Sequence, residues 1–210
     1  DALRAYLDGD RLQAYPEYGD FRSKLGVYAG VSEKEVMILN GSDQGIDLIF
    51  RAVVEPGSEV IIPKPSFAMF FQSAGIENAK VVSPEYSADG GYPVVQVKAA
   101  CCVNTKVVVI CTPNNPTGTI VEVEDILSIA KSAPNAAILV DECYFEYSKV
   151  SVKDYINEYK NIFIVRTFSK TWGLSSLRLG YLISAAENIE QLLKIRGPYD
   201  MNVPAVVAAN

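Results

Sequence analysis

Short apolar segments recur along the chain, each bounded by turn residues and separated from the next by a stretch with helical periodicity. The apolar segments predict seven strands, at residues 36–39, 60–62, 80–82, 107–111, 137–140, 162–165 and 180–183. The periodic stretches predict helices at 20–28, 43–54, 67–74, 123–132, 153–159 and 187–195. Alternation of strands and helices is typical of α/β proteins.

Several of these strands are apolar on both faces, as strands are when helices cover both sides of a largely parallel sheet. We therefore predict a three-layer α/β/α fold around a mostly parallel seven-stranded sheet. The length of 210 residues fits one large domain, or one domain plus part of another. The first 18 residues are expected to form an arm outside the core.

Polar residues follow four of the predicted strands, at the point where each strand ends. They occupy positions 40–44, 112–118, 141–144 and 166–170. In open α/β sheets, ligands bind beyond the carboxyl ends of the strands. The sequence therefore predicts a site at the edge of the sheet where these four segments meet.

Composition limits the chemistry that such a site can use. Hydrophobic residues make up 49% of the chain and charged residues 21%, as in ordinary globular proteins, but histidine is absent. Without histidine there is no Ser-His-Asp triad, Cys-His pair or HExxH zinc site, and we predict no metal site. Acid and base chemistry must come from Lys, Tyr, Cys, a carboxylate or a bound cofactor.

Charge and cysteine spacing exclude further classes of protein. The net charge of −6 is not that of a nucleic-acid-binding surface, and no apolar stretch reaches the ~18 residues of a transmembrane helix. The cysteines, at positions 101, 102, 111 and 143, match neither a CxxC site nor a disulfide framework. We expect free thiols and a cytoplasmic protein that binds neither nucleic acid nor membrane.

Two of the strand ends carry groups that suit a phosphate. One is the turn 42–44, which opens a predicted helix, where backbone N–H groups and the positive end of the dipole attract anions. The other is the segment around Lys170. Its hydroxyls, of Thr167 and Ser169, and the guanidinium of Arg178 can supply charge-assisted hydrogen bonds to a phosphate. The residues of the turn are Ser42, Asp43 and Gln44.

Each of these features alone also fits an ordinary turn, helix cap or solvated lysine. The combination is more specific. A phosphate seat, a lysine amine, a carboxylate at a strand end and an aromatic face together predict pyridoxal phosphate, which would supply the acid and base chemistry that histidine does not.

Three motifs then resemble the signature of the fold-type I pyridoxal-phosphate aminotransferases, in order and spacing. They are Pro-Asn-Asn-Pro-Thr-Gly at 113–118, Asp-Glu-Cys-Tyr at 141–144, and Ser169-Lys170 followed by Arg178. The segment 166–181 looks like the lysine segment of histidinol-phosphate aminotransferases. Residues 15–17, 28–31 and 198–199 are similar to that group as well.

The resemblance implies a role for each matched residue. Lys170 would form the Schiff base with the cofactor and move the proton between substrate and cofactor. Asp141 would keep the pyridine nitrogen protonated, Tyr144 and Asn115 would hydrogen-bond the 3′ oxygen, and Phe67 would stack on the ring. The phosphate would be held by Thr167, Ser169, Arg178 and the turn of Ser42, Asp43 and Gln44.

The resemblance also implies a homodimer with shared sites. Tyr15, in the arm, would reach the phosphate bound by the neighbouring subunit, and its alternative is an exposed arm residue. Tyr199, together with Asn115, would contact substrate, with packing as the alternative for Tyr199.

Some positions differ from the family pattern. Phe67 replaces the usual Tyr, Gln44 a frequent Glu, Thr171-Trp172 the commoner Ala-Phe, and Ser175-Ser176 the commoner Ala-Gly. Family members also continue well beyond Asn210 into a small domain that carries the arginine for substrate carboxylates. We therefore expect residues 1–18 to form the arm, 19–196 the cofactor-binding large domain, and 197–210 the beginning of the small domain.

From this resemblance we expect an aminotransferase. It would move an amino group between the glutamate/2-oxoglutarate pair and a second pair, histidinol phosphate and imidazole acetol phosphate. Two alternatives remain open at this point. One is a related pyridoxal-phosphate decarboxylase acting on threonine phosphate, and the other is a module that binds the cofactor without turnover.

Overall fold

A computed structural model describes residues 2–9, 13–15 and 17–209, which contain one seven-stranded mixed sheet. The strand order is β1-β7-β6-β5-β4-β2-β3, and only β7 runs antiparallel to its two neighbours. The predicted mostly parallel sheet is confirmed. The strands are β1 (Val36–Leu39), β2 (Glu59–Ile61), β3 (Lys80–Val82), β4 (Thr105–Cys111), β5 (Ala137–Asp141), β6 (Ile162–Thr167) and β7 (Gly180–Ile183).

Helices alternate with these strands and cover both faces of the sheet. The helices of the described residues are α1 (Ala2–Leu7), α2 (Phe21–Ala29), α3 (Ser42–Val53), α4 (Ala68–Ile76), α5 (Val94–Ala100), α6 (Val123–Ser132), α7 (Phe145–Ser148), α8 (Ala186–Ile195) and α9 (Val203–Ala209). Short 3₁₀ segments lie at Glu33–Glu35, Lys153–Tyr155 and Ser175–Leu177.

The central strands are buried on both faces, because a separate apolar cluster lies on each side of the sheet. Ile138 and Val140 of β5 point into one cluster, and Leu139 between them points into the other. This alternation confirms the three-layer arrangement that the doubly apolar strands predicted.

One predicted helix is wrong. Residues 153–159 form only the 3₁₀ turn Lys153–Tyr155 followed by hydrogen-bonded turns. Val152 and Ile156 are both fully buried four residues apart, which gives the sequence its helical appearance. The backbone N–H of Val152, however, donates to the buried carboxylate of Glu142 at 3.1 Å, so a tertiary contact directs this segment.

The two ends of the chain meet on one side of the molecule. Helix α1 has no buried residue and contacts α9. Helix α9 buries Ala205 and Val206 in the same cluster as Phe21 and Leu25 of α2. The segment after residue 196 therefore packs on the core of the preceding fold, while the domain boundaries at residues 18 and 196 stay predictions.

Within the described residues, none of the helices is long and apolar enough to cross a membrane.

Candidate active site

A cavity of about 590 Å³, including its open mouth, lies beyond the carboxyl ends of β1, β4, β5 and β6. Its position is the one that open α/β sheets use for ligands. Ten of the thirteen residues predicted from the sequence line it: Ser42, Asp43, Phe67, Asn115, Asp141, Tyr144, Thr167, Ser169, Lys170 and Arg178.

Asp141 is a buried carboxyl group in this cavity. It ends β5, is 4% exposed, and its Oδ1 accepts the backbone N–H of Cys143 at 2.9 Å. Desolvation raises the pKa of Asp141 to about 6, against an ordinary value of 3.8, and the hydrogen bonds from Cys143 oppose this only partly. A buried carboxylate of this kind favours a cationic ligand group beside it.

Lys170 lies on the turn that follows β6. Its backbone carbonyl accepts the N–H of Gly173 at 3.0 Å, and its Nζ lies 5.8 Å from the centre of the Tyr144 ring. Tyr144 comes three residues after Asp141, which ends the neighbouring strand β5, and directly precedes α7. An amine, a phenol and a carboxylate from two neighbouring strand ends therefore share one cavity.

The opposite part of the cavity is built around the N-terminus of α3. Gly41 precedes this helix without a side-chain cap, so the first N–H groups are left for another acceptor. Arg178 Nη2 lies 3.3 Å from Asp43 Oδ2, with both side chains nearly half exposed. Helix N–H groups and a guanidinium together form an anion site.

Glycine at position 41 makes room for Arg178. A Cβ there would lie 2.5 Å from Arg178 Nη2, and the backbone has φ +79°, which side chains rarely adopt. Gly180, at the start of β7, has a similar function. A Cβ on it would lie 2.6 Å from the backbone nitrogen of Ser42.

Two hydroxyls at the end of β6 complete this region. Thr167 Oγ1 accepts the backbone N–H of Ser169 at 3.1 Å. Ser169 Oγ is buried without a hydrogen-bond partner within the described part of the chain. Because a buried hydroxyl without a partner is costly, Ser169 is suited to a ligand that supplies the missing acceptor.

Phe67 and Asn115 line the cavity from two loops. Phe67 precedes α4 and packs edge-on against Phe70, with ring centres 5.8 Å apart. The loop of Asn115 is held by its neighbour Asn114, whose Nδ2 donates to Pro65 O at 3.0 Å and to Thr117 Oγ1 at 2.8 Å. The loop of Asn115 is thus fixed to the loop that presents Phe67.

Three predicted residues do not line the cavity. The side chain of Gln44 turns away, accepting the Asn40 N–H at 2.7 Å and donating to Asp200. Tyr15 and Tyr199 stack on each other, with ring centres 4.1 Å apart, and are 72% and 56% exposed.

The cavity also contains residues that the sequence analysis did not select: Cys111, Cys143 and Ser175. Burial raises the pKa of both thiols well above the ordinary value, so they are neutral there. Cys111 is the last residue of β4 and Cys143 is two residues beyond β5. Their positions at strand ends were the feature of the sequence that could have identified them as cavity residues.

A buried ion pair lies directly behind the cavity. Arg166 Nη2 donates to Glu142 Oε2 at 2.7 Å. The two side chains are 2% and 0% exposed, and each residue is adjacent in sequence to one that lines the cavity. Phe145 stacks on the guanidinium at 3.6 Å, and Ser151 Oγ accepts from it at 2.7 Å. The pair joins the ends of β5 and β6, which carry Asp141 and Thr167.

The sequence as a whole matches the model of the aminotransferase class I and II family over residues 2–209. The chain belongs to this family. Its membership agrees with a cavity in which a lysine, a buried aspartate and an anion site occur together.

Several curated relatives are histidinol-phosphate aminotransferases. Those of Caldanaerobacter subterraneus and Thermoanaerobacter pseudethanolicus are 36% and 33% identical over 89% and 99% of this chain. The chain spans 53% and 60% of the lengths of these two proteins.

Solved structures of the family superpose closely on this chain. A histidinol-phosphate aminotransferase from Sinorhizobium meliloti, in complex with pyridoxal-5′-phosphate, is 25% identical with a TM-score of 0.86. One described as putative, from Erwinia carotovora, is also 25% identical with a TM-score of 0.89. This chain aligns over 99% of its length with each and covers 58% and 62% of them, respectively. The likeness confirms the fold-type I architecture.

Proposed function

We propose that this protein is a pyridoxal-phosphate-dependent aminotransferase that transfers an amino group between glutamate and imidazole acetol phosphate, forming 2-oxoglutarate and histidinol phosphate, reversibly. The observation that carries the proposal is that the buried carboxylate of Asp141 and the amine of Lys170 line one cavity, which also contains an anion site. The relatives named as histidinol-phosphate aminotransferases support the choice of substrate.

The residues of the cavity fit pyridoxal phosphate both at its phosphate and at its pyridine nitrogen. Among the described residues Ser169 Oγ has no hydrogen-bond partner, α3 has no side-chain cap at its N-terminus, and Arg178 lies in the space that Gly41 leaves, all of which suit a phosphate. At the other end, buried Asp141 suits the protonated nitrogen of a pyridine ring, because a cation relieves its desolvation.

When bound, pyridoxal phosphate supplies an electron-withdrawing ring that accepts the electron pair released at the substrate carbon. The protein residues do the remaining work. Lys170 would hold the cofactor, and its amine, once free, would take the proton from the substrate carbon and return it. Asp141 in its ionised form would keep the ring nitrogen protonated. Tyr144 and Asn115 would donate hydrogen bonds to the 3′ oxygen, and Phe67 would pack against the ring.

Oligomeric state and location form part of the same proposal. We expect a homodimer in which Tyr15 reaches the phosphate in the neighbouring subunit, and Tyr199 borders the substrate. The exposure of both rings leaves them accessible to such contacts. All four cysteines are free thiols, which supports a cytoplasmic location.

Reductive trapping tests the cofactor assignment. Pyridoxal phosphate added to the chain should produce a visible absorption band that borohydride removes, and peptide mapping should place the label on Lys170. The K170R variant retains the charge and should take up no label at that position. A folded, saturated protein labelled elsewhere would contradict the assignment of Lys170.

The reaction is tested on the native protein as it occurs in the cell. With histidinol phosphate and 2-oxoglutarate we expect stoichiometric glutamate. Carbon dioxide release from threonine phosphate, without glutamate formation, would instead favour the decarboxylase. Cofactor binding without either product would favour a module that does not turn over.

A further inference from the structure

The two residues that follow Lys170 are held by hydrogen bonds to other elements. Thr171 Oγ1 donates to Glu146 Oε2 at 3.4 Å, and Trp172 Nε1 donates to the Tyr28 hydroxyl at 3.1 Å. The Tyr28 hydroxyl in turn donates to Glu146 Oε1 at 3.1 Å. Both side chains are therefore connected to one carboxylate, directly or through one phenol.

These contacts act on the turn that presents Lys170. The bond from Gly173 N–H to Lys170 O, at 3.0 Å, makes Thr171 and Trp172 the two central residues of a four-residue turn. Gly173 has φ +64°, and Leu174 N–H donates back to Phe168 O at 3.0 Å. Holding the two central side chains fixes the orientation of the residue that begins the turn.

The other end of the network reaches the segment of Tyr144, the phenol that lines the cavity with Lys170. Glu146 lies in α7, two residues after Tyr144. Its carboxylate thus links the Lys170 turn to the segment that carries the phenol, and Lys170 Nζ lies 5.8 Å from that ring. Restraining the turn and α7 together restrains the distance between the amine and the phenol.

Tyr28 is itself well supported. Its ring packs against Phe168 with centres 5.8 Å apart and against Tyr181 at 6.3 Å. The Trp172 ring meets Tyr28 edge-on at 5.9 Å. These ring contacts hold the Tyr28 ring beside Phe168 and Trp172, so its hydroxyl is placed to accept the indole N–H.

We propose that Thr171 and Trp172 are positioning residues for Lys170, acting through Glu146 and Tyr28. The inference rests on the proposed function, because it concerns the lysine that would bond the cofactor. A displacement of about 1 Å at a reacting group can cost about 100-fold in rate. Fixing the turn is therefore a sufficient reason for such a network.

The first experiment detects the hydrogen-bond network by NMR and needs no measurement of enzymatic activity. The chain has one tryptophan, so its indole ¹⁵N–¹H resonance is unambiguous. Y28F keeps the ring and removes the acceptor, and the indole proton should move upfield in the cofactor-free protein. Y155F, which removes a hydroxyl elsewhere, should leave the resonance in place. An indole resonance that Y28F does not move would overturn the proposal.

The second experiment measures how loss of the Thr171 and Trp172 hydrogen bonds changes the catalytic rate and the titration of the cofactor band at Lys170. T171V replaces the hydroxyl by a methyl group, W172F removes the N–H, and T171S keeps the hydroxyl as the matched control. For T171V/W172F we expect kcat about 10-fold lower, KM within twofold, and an altered pH midpoint of the visible band. T171S should behave as wild type. If the double variant does not fold, T171V and W172F are measured singly.

The outcomes separate the two proposals. If wild-type protein takes up no borohydride label at Lys170, the proposed function fails, while the indole resonance still decides whether the network exists. If labelling succeeds but T171V/W172F retains wild-type kcat and pH midpoint, the positioning role fails and the aminotransferase assignment stands.

Discussion

Asp141 and Glu142 are adjacent buried carboxylates in opposite surroundings. Glu142 is paired with Arg166, whereas Asp141 faces the cavity and accepts hydrogen bonds from Cys143. Period-two alternation along β5 and its end explains the difference, since neighbouring side chains point to opposite faces. One carboxylate is therefore paired with an arginine, and the other is available to a ligand.

This contrast predicts a pH dependence of stability in the cofactor-free protein. The pKa of Asp141 is about 6 when folded and 3.8 when unfolded, so the folded state binds the proton more tightly. The stabilisation is complete below about pH 4 and is lost as pH rises through 6, amounting to about 3 kcal/mol. Urea unfolding of wild type and D141N at several pH values measures this effect, because the two proteins differ only in this carboxyl group.

We expect the wild-type free energy of unfolding to fall relative to that of D141N as pH rises from 4 to 7. Added pyridoxal phosphate should reduce this fall in the wild type, because a cation beside Asp141 favours its ionised form. A difference between the two proteins that stays constant with pH would contradict the burial argument.

At the scale of elements, the junction between β1 and α3 determines the anion site. Gly41 combines a left-handed backbone with contact to Arg178, and Gly180 of β7 packs against the same turn. The helix N-terminus is thereby held at the edge of the sheet, next to the end of β6. The site depends on this packing as much as on the side chains that line it.

Replacing Gly41 should affect stability and cofactor binding together. In G41A the new Cβ would displace Arg178, so we expect a loss of about 1–3 kcal/mol and about 10-fold weaker binding of pyridoxal phosphate. The matched control is G57A, where φ is +84° but no atom lies within 4 Å of the Cβ. Urea unfolding and absorbance titration measure the two effects.

G57A should lose stability to backbone strain and keep its cofactor affinity. If both variants bind pyridoxal phosphate as wild type does, Arg178 has no part in the phosphate site.

At the scale of the whole molecule, the exposed tyrosine pair lies apart from the cavity. Tyr15 stacks on Tyr199 instead of lining the cavity of its own chain, and Gln44 is drawn to Asp200. Asp200 also pairs with Arg196, so the segment after α8 is fixed near the start of α3. The contact proposed for Tyr15 is therefore with the phosphate bound by another subunit, since Tyr15 does not line the cavity of its own chain.

The proposed dimer makes a measurable prediction for this residue. Light scattering should give twice the chain mass, and Y15F should bind pyridoxal phosphate about 10-fold more weakly, since a hydrogen bond to a charged group is lost. Y155F serves as the matched control and should bind normally. Wild-type affinity in Y15F, in a protein shown to be dimeric, would remove Tyr15 from the site.

Much of this architecture follows from the order of residues. Three strands, 36–39, 80–82 and 180–183, and the helix Val123–Ser132 have the predicted bounds, because each is a compact apolar or amphipathic run between turn residues. The short helices α5 and α7 were not predicted, since segments of seven and four residues carry too little periodicity.

The sequence by itself determined the sheet, the strand ends at which polar residues gather, and the set of groups available there, because local patterns and residue chemistry are written along the chain. Only the tertiary structure decided which groups meet. It gave Asp141 its raised pKa, buried the Ser169 hydroxyl, turned Gln44 away and connected Thr171 and Trp172 to Glu146. Burial and hydrogen bonding depend on residues distant in sequence, which no local pattern specifies.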